Sequence, residues 1–99
     1  MQYEKCPLCE RMIREDDMTL HHYIPKSKGG TLDDTMVLCR TCHAFLHYCI
    51  PLNEVPKYDT YTKLEAYEKF KKYLMWIRTI THPSIINVKK IKKTIKLLV

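Results

Sequence analysis

The alternation of apolar and polar residues predicts a strand hairpin followed by a helix in the first half of the chain. Residues 19–24 are rich in β-branched and aromatic side chains, which is typical of a strand. The basic, glycine-containing stretch 26–31 predicts a flexible turn, and the apolar run 36–38 predicts the returning strand. A helix is expected from Cys39 to about residue 48 or 49, because Pro51 stops it.

The second half is predicted to be helical, because its apolar residues recur every three or four positions between 58 and 81. A break near Tyr67–Glu68, giving two short helices, is an alternative. This stripe and its aromatic neighbours are expected to form core rather than to stack on bases. The stripe consists of Leu64, Tyr67, Phe70, Leu74 and Ile77.

After an interruption at His82-Pro83, the tail has a second apolar stripe surrounded by lysines. The stripe consists of Val88, Ile91, Ile95 and Leu98. The tail is therefore expected to lie along DNA, to pack on the domain through this stripe, or to fray. A membrane-surface helix is a weaker alternative.

The length of 99 residues predicts one domain, or a small domain with an extension. We expect a zinc-stabilised α+β core at 1–50, a helical extension packed on it at 51–82, and a basic amphipathic tail at 83–99. Within the core, Met12 and Ile13 are expected to be packing residues.

Charge is concentrated at the C-terminal end of the chain. The net charge is +6, five lysines fall in the last eleven residues, and no acidic residue follows Glu68. Such an excess is expected of a protein that meets phosphate or an acidic surface, and is equally compatible with a solvated face. No stretch is long enough to span a membrane and no signal segment is evident, so the cytoplasm is expected.

Cysteine spacing predicts a structural zinc site. Two C-x-x-C pairs and an odd total of five cysteines favour reduced thiols that bind metal over disulfides. The four predicted ligands are Cys6, Cys9, Cys39 and Cys42. His43 could replace Cys42 as the fourth ligand, although four cysteines leave His43 available for another site. Cys49 is then the odd thiol and is expected to be buried.

The histidines predict a second metal site. His43 and His47 are four residues apart, so they share one face of the predicted helix and can bind one ion. His21 and His22 are adjacent on a strand, so their side chains point to opposite faces. One of them is expected to join the metal and the other to act as a base, an arrangement that suits metal-assisted hydrolysis.

Together these residues resemble the HNH endonucleases, which share a ββα-metal, treble-clef-like core. The resemblance covers about residues 6–48 and rests on two motifs, HH-x-x-P-x-S-x-G-G from His21 and C-x-x-C-H-x-x-x-H from Cys39. The chain also resembles a small bacterial subgroup in which a helical segment ending in a W-I-R-like motif, here Trp76-Ile77-Arg78, follows the core.

The resemblance implies a role for each residue of the motifs. His21, His43 and His47 would bind the catalytic ion, which could be Mg²⁺, Mn²⁺, Ni²⁺ or Zn²⁺, and His22 would be the general base. The four paired cysteines would hold a structural Zn²⁺. Family members usually carry an asparagine just before the second strand, where this chain has Asp34 and Thr35. Either side chain could bond the backbone in its place.

The expected function is that of a metal-dependent DNA endonuclease, with RNA as an alternative substrate and no membrane partner. Lys26, Lys28 and Arg40 are expected to bind neighbouring phosphates. The first alternative is a zinc-stabilised nucleic-acid-binding module without catalysis. The second is a zinc-stapled protein-interaction domain. The sequence does not determine the oligomeric state or the target.

Overall fold

Two antiparallel hairpins form the N-terminal half of the computed structural model, which describes residues 2–81 and 85–97, with side chains through residue 93. In the first hairpin, β1 (Tyr3–Lys5) pairs with β2 (Met12–Arg14). In the second, β3 (Met18–His22) pairs with β4 (Thr35–Cys39). This second hairpin confirms the predicted strand pair, although its first strand ends two residues before Ile24.

The first hairpin was not predicted, because three-residue strands are too short to show an alternating pattern. It frames the turn that carries Cys6 and Cys9, where the amide of Cys6 donates to the carbonyl of Arg11 (3.0 Å). Ile13 is buried as expected, with 2% of its surface exposed. The expectation that Met12 packs is wrong: it is 51% exposed, because neighbouring side chains on a strand face opposite sides.

The connection between β3 and β4 is hydrogen-bonded rather than a loose loop. A 3-10 turn at Lys26–Lys28 ends at Gly29, whose φ of 88° lies in the left-handed region that favours glycine. Gly30 is required for a different reason: a Cβ there would lie 1.9 Å from the carbonyl oxygen of Ile24. The two glycines of the motif therefore fix the loop that follows His22.

The residues that replace the expected asparagine do bond the backbone, as anticipated. In the 3-10 turn Leu32–Asp34, the Asp34 carboxylate accepts from the amide of Thr31 (3.0 Å). The Thr35 hydroxyl donates to the carbonyl oxygen of Leu32 (2.7 Å). Thr35 also pairs with His22 across the hairpin, so these bonds brace the strand opposite that histidine.

Helix α1 (Arg40–Cys49) follows β4 directly and packs on the second hairpin. The sulfur of Cys39 caps it by accepting from the amide of Cys42 (3.4 Å). Its predicted extent is confirmed, and Cys49 is buried as expected.

The second half contains α2 (Tyr61–Ala66) and α3 (Glu68–Ile77), separated at Tyr67, whose backbone is extended. The two-helix alternative is therefore correct. The predicted apolar stripe is mostly buried in the core. Its aromatic neighbour Tyr73 stacks on Phe45 of α1 at a ring-centroid distance of 4.5 Å.

Helix α4 (Val88–Leu97) contacts both α1 and α3. Ile91 is completely buried, so the tail packs through its apolar stripe. The predicted interruption at His82-Pro83 and the side chains of Ile95 and Leu98 lie outside the described residues. Across the described ranges, no helix is long and apolar enough to cross a membrane.

Candidate metal centres

Four cysteine sulfurs converge between the first hairpin and the start of α1. Cys6 and Cys9 come from the turn between β1 and β2, and Cys39 and Cys42 from the junction of β4 and α1. The Sγ atoms are 3.9 Å apart for Cys6 and Cys42 and 3.8 Å apart for Cys9 and Cys39. A tetrahedral zinc with bonds of about 2.3 Å requires sulfur separations of about 3.8 Å. The buried cluster could therefore hold a structural metal.

The electrostatics of the sulfur cluster fit a bound dication. Hydrogen bonds from Cys39 and Cys42 lower the pKa of Cys6 to about 7, and the same two partners lower the pKa of Cys9. Burial raises the pKa of Cys42. Without a metal, the protein thus favours the thiolate form for only some of the four cysteines. A bound dication would stabilise the remaining ones as thiolates.

Two buried side chains, those of Arg11 and Tyr73, lie next to the sulfur cluster. Burial disfavours the charge of Arg11, but the hydrogen bond to Cys9 and nearby thiolate charge raise the pKa of its guanidinium. Burial and the charge of Cys42 raise the pKa of Tyr73, so its hydroxyl stays protonated; it lies 3.1 Å from the Cys42 sulfur and donates to it when Cys42 is a thiolate. Both groups offset the negative charge of a tetrathiolate site.

Arg78 links the helical extension to the turn that carries Cys6 and Cys9, called the cysteine turn below. Its Nε and Nη2 both donate to the carbonyl oxygen of Leu8, at 3.0 and 2.8 Å. Its Nε also lies 3.0 Å from a carboxylate oxygen of Glu10. Glu10 has a left-handed backbone (φ 62°), so the ion pair holds the residue that closes the turn. This contact gives a physical reason for an arginine at the end of the W-I-R segment.

Three histidines form a second cluster on the other side of α1. His21 projects from β3, and His43 and His47 project from successive turns of α1. The His21 ring centroid lies 5.1 Å from that of His43 and 5.2 Å from that of His47, and one nitrogen from each ring lies within 4.8 Å of the others. His43 belongs to this cluster and not to the sulfur set, which favours the four-cysteine alternative.

His21 provides the strongest indication of a ligand in this cluster. It is only 1% exposed, and neither of its ring nitrogens has a hydrogen-bond partner among the described residues. Burial, then the charges of His43 and His47, lower its pKa to about 4, so the ring is neutral at pH 7. A buried polar atom without a partner is costly, and a metal ion would supply a partner for one of the two nitrogens.

A hydroxyl orients His43. The Thr19 hydroxyl donates to the carbonyl oxygen of Leu38 (2.8 Å), and its oxygen lies 2.9 Å from Nδ1 of His43. A hydroxyl has one proton, so Nδ1 of His43 must be the donor to Thr19. Nε2 of His43 then carries the free lone pair, as a ligand nitrogen must.

His22 lies at the end of β3, half-buried and outside the three-histidine set. It is close enough to affect the cluster, because burial, the charge of His47 and then that of His22 lower the pKa of His43. Of the expected phosphate-binding residues, Lys26 and Lys28 are exposed. Arg40 is also exposed, but its guanidinium lies 3.7 Å from the carboxylate of Asp17.

Sequence reasoning missed Thr19, Tyr73 and Arg11. Thr19 could have been found, because residues two apart on a strand share a face and it precedes His21 by two. No local signal points to Tyr73, which lies 31 residues from Cys42 in sequence. Arg11 follows Cys9 closely, but its burial depends on the unpredicted first hairpin.

Comparison with known proteins agrees with this geometry. A family model described as HNH endonuclease matches residues 6–51, a range that includes both clusters. The curated Uncharacterized protein YisB of Bacillus subtilis (strain 168) is 31% identical over 85 residues, which is 84% of this chain and 85% of that protein. No solved structure matches the chain. The chain belongs to the HNH endonuclease family, which supports a nuclease-type function at the level of the family.

Proposed function

We propose that the protein is a metal-dependent DNA endonuclease that hydrolyses phosphodiester bonds. His21, His43 and His47 hold one divalent ion, and His22 is the general base. The observation that carries the proposal is the buried His21 ring, whose two nitrogens lack partners among the described residues while it packs against two further imidazoles. Packing alone gives no reason to bury an imidazole without hydrogen-bond partners against the half-buried His43 and the exposed His47.

The proposed chemistry divides between the ion and the unligated histidine. When bound, the ion would stabilise the negative charge that develops on the phosphate and on the leaving oxygen. His22 accepts the proton of the attacking water, a role that suits imidazole because its ordinary pKa lies near neutrality. The braced loop after β3 keeps His22 beside the cluster.

The donor set also favours certain ions. The three clustered histidines offer only nitrogen, which suits Ni²⁺ and Zn²⁺ better than the oxygen-preferring Mg²⁺ and Mn²⁺. Lys26 and Lys28 lie four and six residues after His22, in the turn that follows its strand, so they are available to bind phosphates next to the scissile bond. Arg40 does so only if phosphate replaces Asp17 as its partner.

The proposal is tested by incubating supercoiled plasmid with zinc-loaded protein and Mg²⁺, Mn²⁺, Ni²⁺ or Zn²⁺. Wild-type protein is expected to nick or linearise the plasmid, most strongly with a transition-metal ion. His22→Ala should abolish cleavage while leaving zinc content and circular dichroism unchanged. His82→Ala, which changes the histidine outside both motifs, is the matched control and should cleave normally.

The alternatives give different results in the same experiment. A gel shift without cleavage under every ion would support a nucleic-acid-binding module without catalysis. Cleavage that persists in His22→Ala would remove His22 as the base. Neither binding nor cleavage would favour a protein-interaction domain.

A further inference from the structure

Helix α4 is attached to α1 at two points, so its position is defined. The amide of Ile86, just before the helix, donates to the hydroxyl of Thr41 (3.2 Å). Two turns further along α1, the ammonium of Lys92 lies 4.9 Å from the centre of the Tyr48 ring. Ile91 is fully buried between these contacts, so the apolar side of α4 is occupied by the domain.

The outer side of α4 is strongly basic. The helix contains five lysines and no acidic residue. Within the described residues, no carboxylate pairs with Lys89, Lys92 or Lys93, all of which are exposed. Lysines three or four apart on a helix repel each other and destabilise it. A polyanion bound along this side would relieve that repulsion.

Lys92, through its contact with Tyr48, and the histidine cluster lie on either side of the same exposed strip of α1. At about 100° per residue, Thr41 and Tyr48 lie about 120° around the helix from His43 and His47. The strip between these two sides is exposed and includes Arg40 and Ala44. On a helix about 10–12 Å in diameter, two sides about 120° apart are separated by about 9–10 Å, which is on the scale of a duplex groove, about 6–12 Å.

We propose that the lysine side of α4 binds the phosphate backbone of double-stranded DNA. The other strand, or a neighbouring part of the same duplex, then reaches the histidine cluster. The proposal rests on the proposed nuclease function and adds a binding surface outside the family core. The lysines would contact phosphates only, so this surface would not recognise a particular DNA sequence. A membrane surface is disfavoured as the partner, because the apolar side that would enter lipid is covered by α1 and α3.

The test measures binding without cleavage. Fluorescence anisotropy of a labelled duplex of about 20 base pairs is recorded between about 50 and 300 mM salt, with zinc-loaded protein and no added divalent ion. The variant Lys89→Gln/Lys92→Gln/Lys93→Gln is compared with Lys57→Gln/Lys71→Gln/Lys72→Gln, which removes three exposed lysines from other elements. Circular dichroism verifies that both variants are folded.

The salt dependence distinguishes specific phosphate contacts from general charge. Each lost contact reduces the slope of log affinity against log salt by about 0.9. The α4 variant is therefore expected to lose about two to three from the slope and at least about tenfold in affinity at about 100 mM salt. The control variant should keep the wild-type slope to within about one.

Three results would overturn the proposal: an unchanged slope in the α4 variant, an equal loss in the control, or binding of wild-type protein to phosphatidylserine vesicles but not to duplex. Failure of the proposed nuclease function gives results that differ from failure of the α4 proposal. A lysine-dependent slope in a protein that never cuts plasmid supports the α4 surface and refutes the nuclease. An unchanged slope with normal cleavage refutes only the α4 surface.

Discussion

The Thr19 hydroxyl oxygen accepts a hydrogen bond from Nδ1 of His43 at 2.9 Å, because its own proton is committed to the Leu38 carbonyl. This bond fixes both the tautomer and the orientation of the ring. In metalloproteins, a ligand histidine is usually held in this way by its second nitrogen. Thr19 is therefore a positioning residue for the proposed histidine site.

Removing the hydroxyl should weaken metal binding at the histidines without affecting the sulfur cluster. Thr19→Val is expected to reduce the affinity for Ni²⁺ about 10- to 100-fold, as is typical of lost partners of ligand histidines. Titration calorimetry on zinc-loaded protein measures this affinity. Thr19→Ser keeps the hydroxyl and should bind like wild type. Equal affinities for Thr19→Val and wild type would show that the hydroxyl does not orient a ligand.

The sulfur cluster should be required for folding of the N-terminal half. Cys39→Ser removes one ligand sulfur while its hydroxyl can still cap α1, so the variant is expected to lose its zinc and, with it, the cooperative melting of this half. Cys49→Ser changes the buried cysteine outside the cluster and should retain one zinc per chain. Zinc is quantified by a colorimetric assay after denaturation. Unchanged melting of Cys39→Ser would refute the structural-zinc prediction.

The link between α3 and the cysteine turn should contribute measurable stability. Arg78→Met deletes both donors to the Leu8 carbonyl, and hydrogen bonds from charged groups contribute about 1.5–3 kcal/mol. The free energy of unfolding in urea is expected to fall by about that amount. Lys71→Met, at an exposed position of α3, serves as control and should change stability by less than about 0.5 kcal/mol. Comparable losses in both variants would indicate that the contact is not stabilising.

The two glycines of the loop should differ in their tolerance of alanine. Gly29→Ala meets no atom within 4 Å but must adopt a φ of 88°, at a cost of about 1–2 kcal/mol. Gly30→Ala forces the backbone carbonyl of Ile24 to move and is expected to be the more destabilising change. Thermal melting of both variants gives the order. The reverse order would mean that the loop shifts easily at residue 30.

Burial of His21 should make stability depend on pH. The pKa is about 4 in the folded state and 6.5 ordinarily, so the unfolded state binds the proton first as the pH falls. The contribution is complete above pH 6.5 and is lost between pH 6.5 and about 4. The shift corresponds to about 3 kcal/mol. His21→Phe lacks this titration, so urea unfolding of both proteins with one equivalent of zinc should show wild type losing about that much relative to the variant.

In that comparison, protonation of the sulfur cluster affects both proteins equally and cancels. Parallel stability curves between about pH 7 and 4 would contradict a buried, neutral His21.

The local elements and the members of the two side-chain clusters could be predicted from the sequence. The spacing of Cys39 and Cys42 and of His43 and His47 fixes their relative positions on one helix, because such distances depend only on helix geometry. The apolar face of α3 likewise follows from the local periodicity, but that periodicity also fits one continuous helix and left the break at Tyr67 as an alternative.

Other features were decided only by the tertiary structure. The sequence alone left open which of His21 and His22 is buried, because both alternatives have the same alternating pattern. The register of β3 on β4 and the packing of α1 turn His21 inward. The contacts of Tyr73 with Cys42 and of Arg78 with Leu8 join residues 31 and 70 positions apart, so no local pattern reveals them.

The tail shows the same division. The local sequence of the tail alone predicted a basic amphipathic helix, since charge and periodicity are properties of the local sequence. Only the folded chain decided that Ile91 is buried and that Lys92 lies against Tyr48 of α1. An apolar stripe specifies that a helix must be covered, but the shape of the domain determines what covers it.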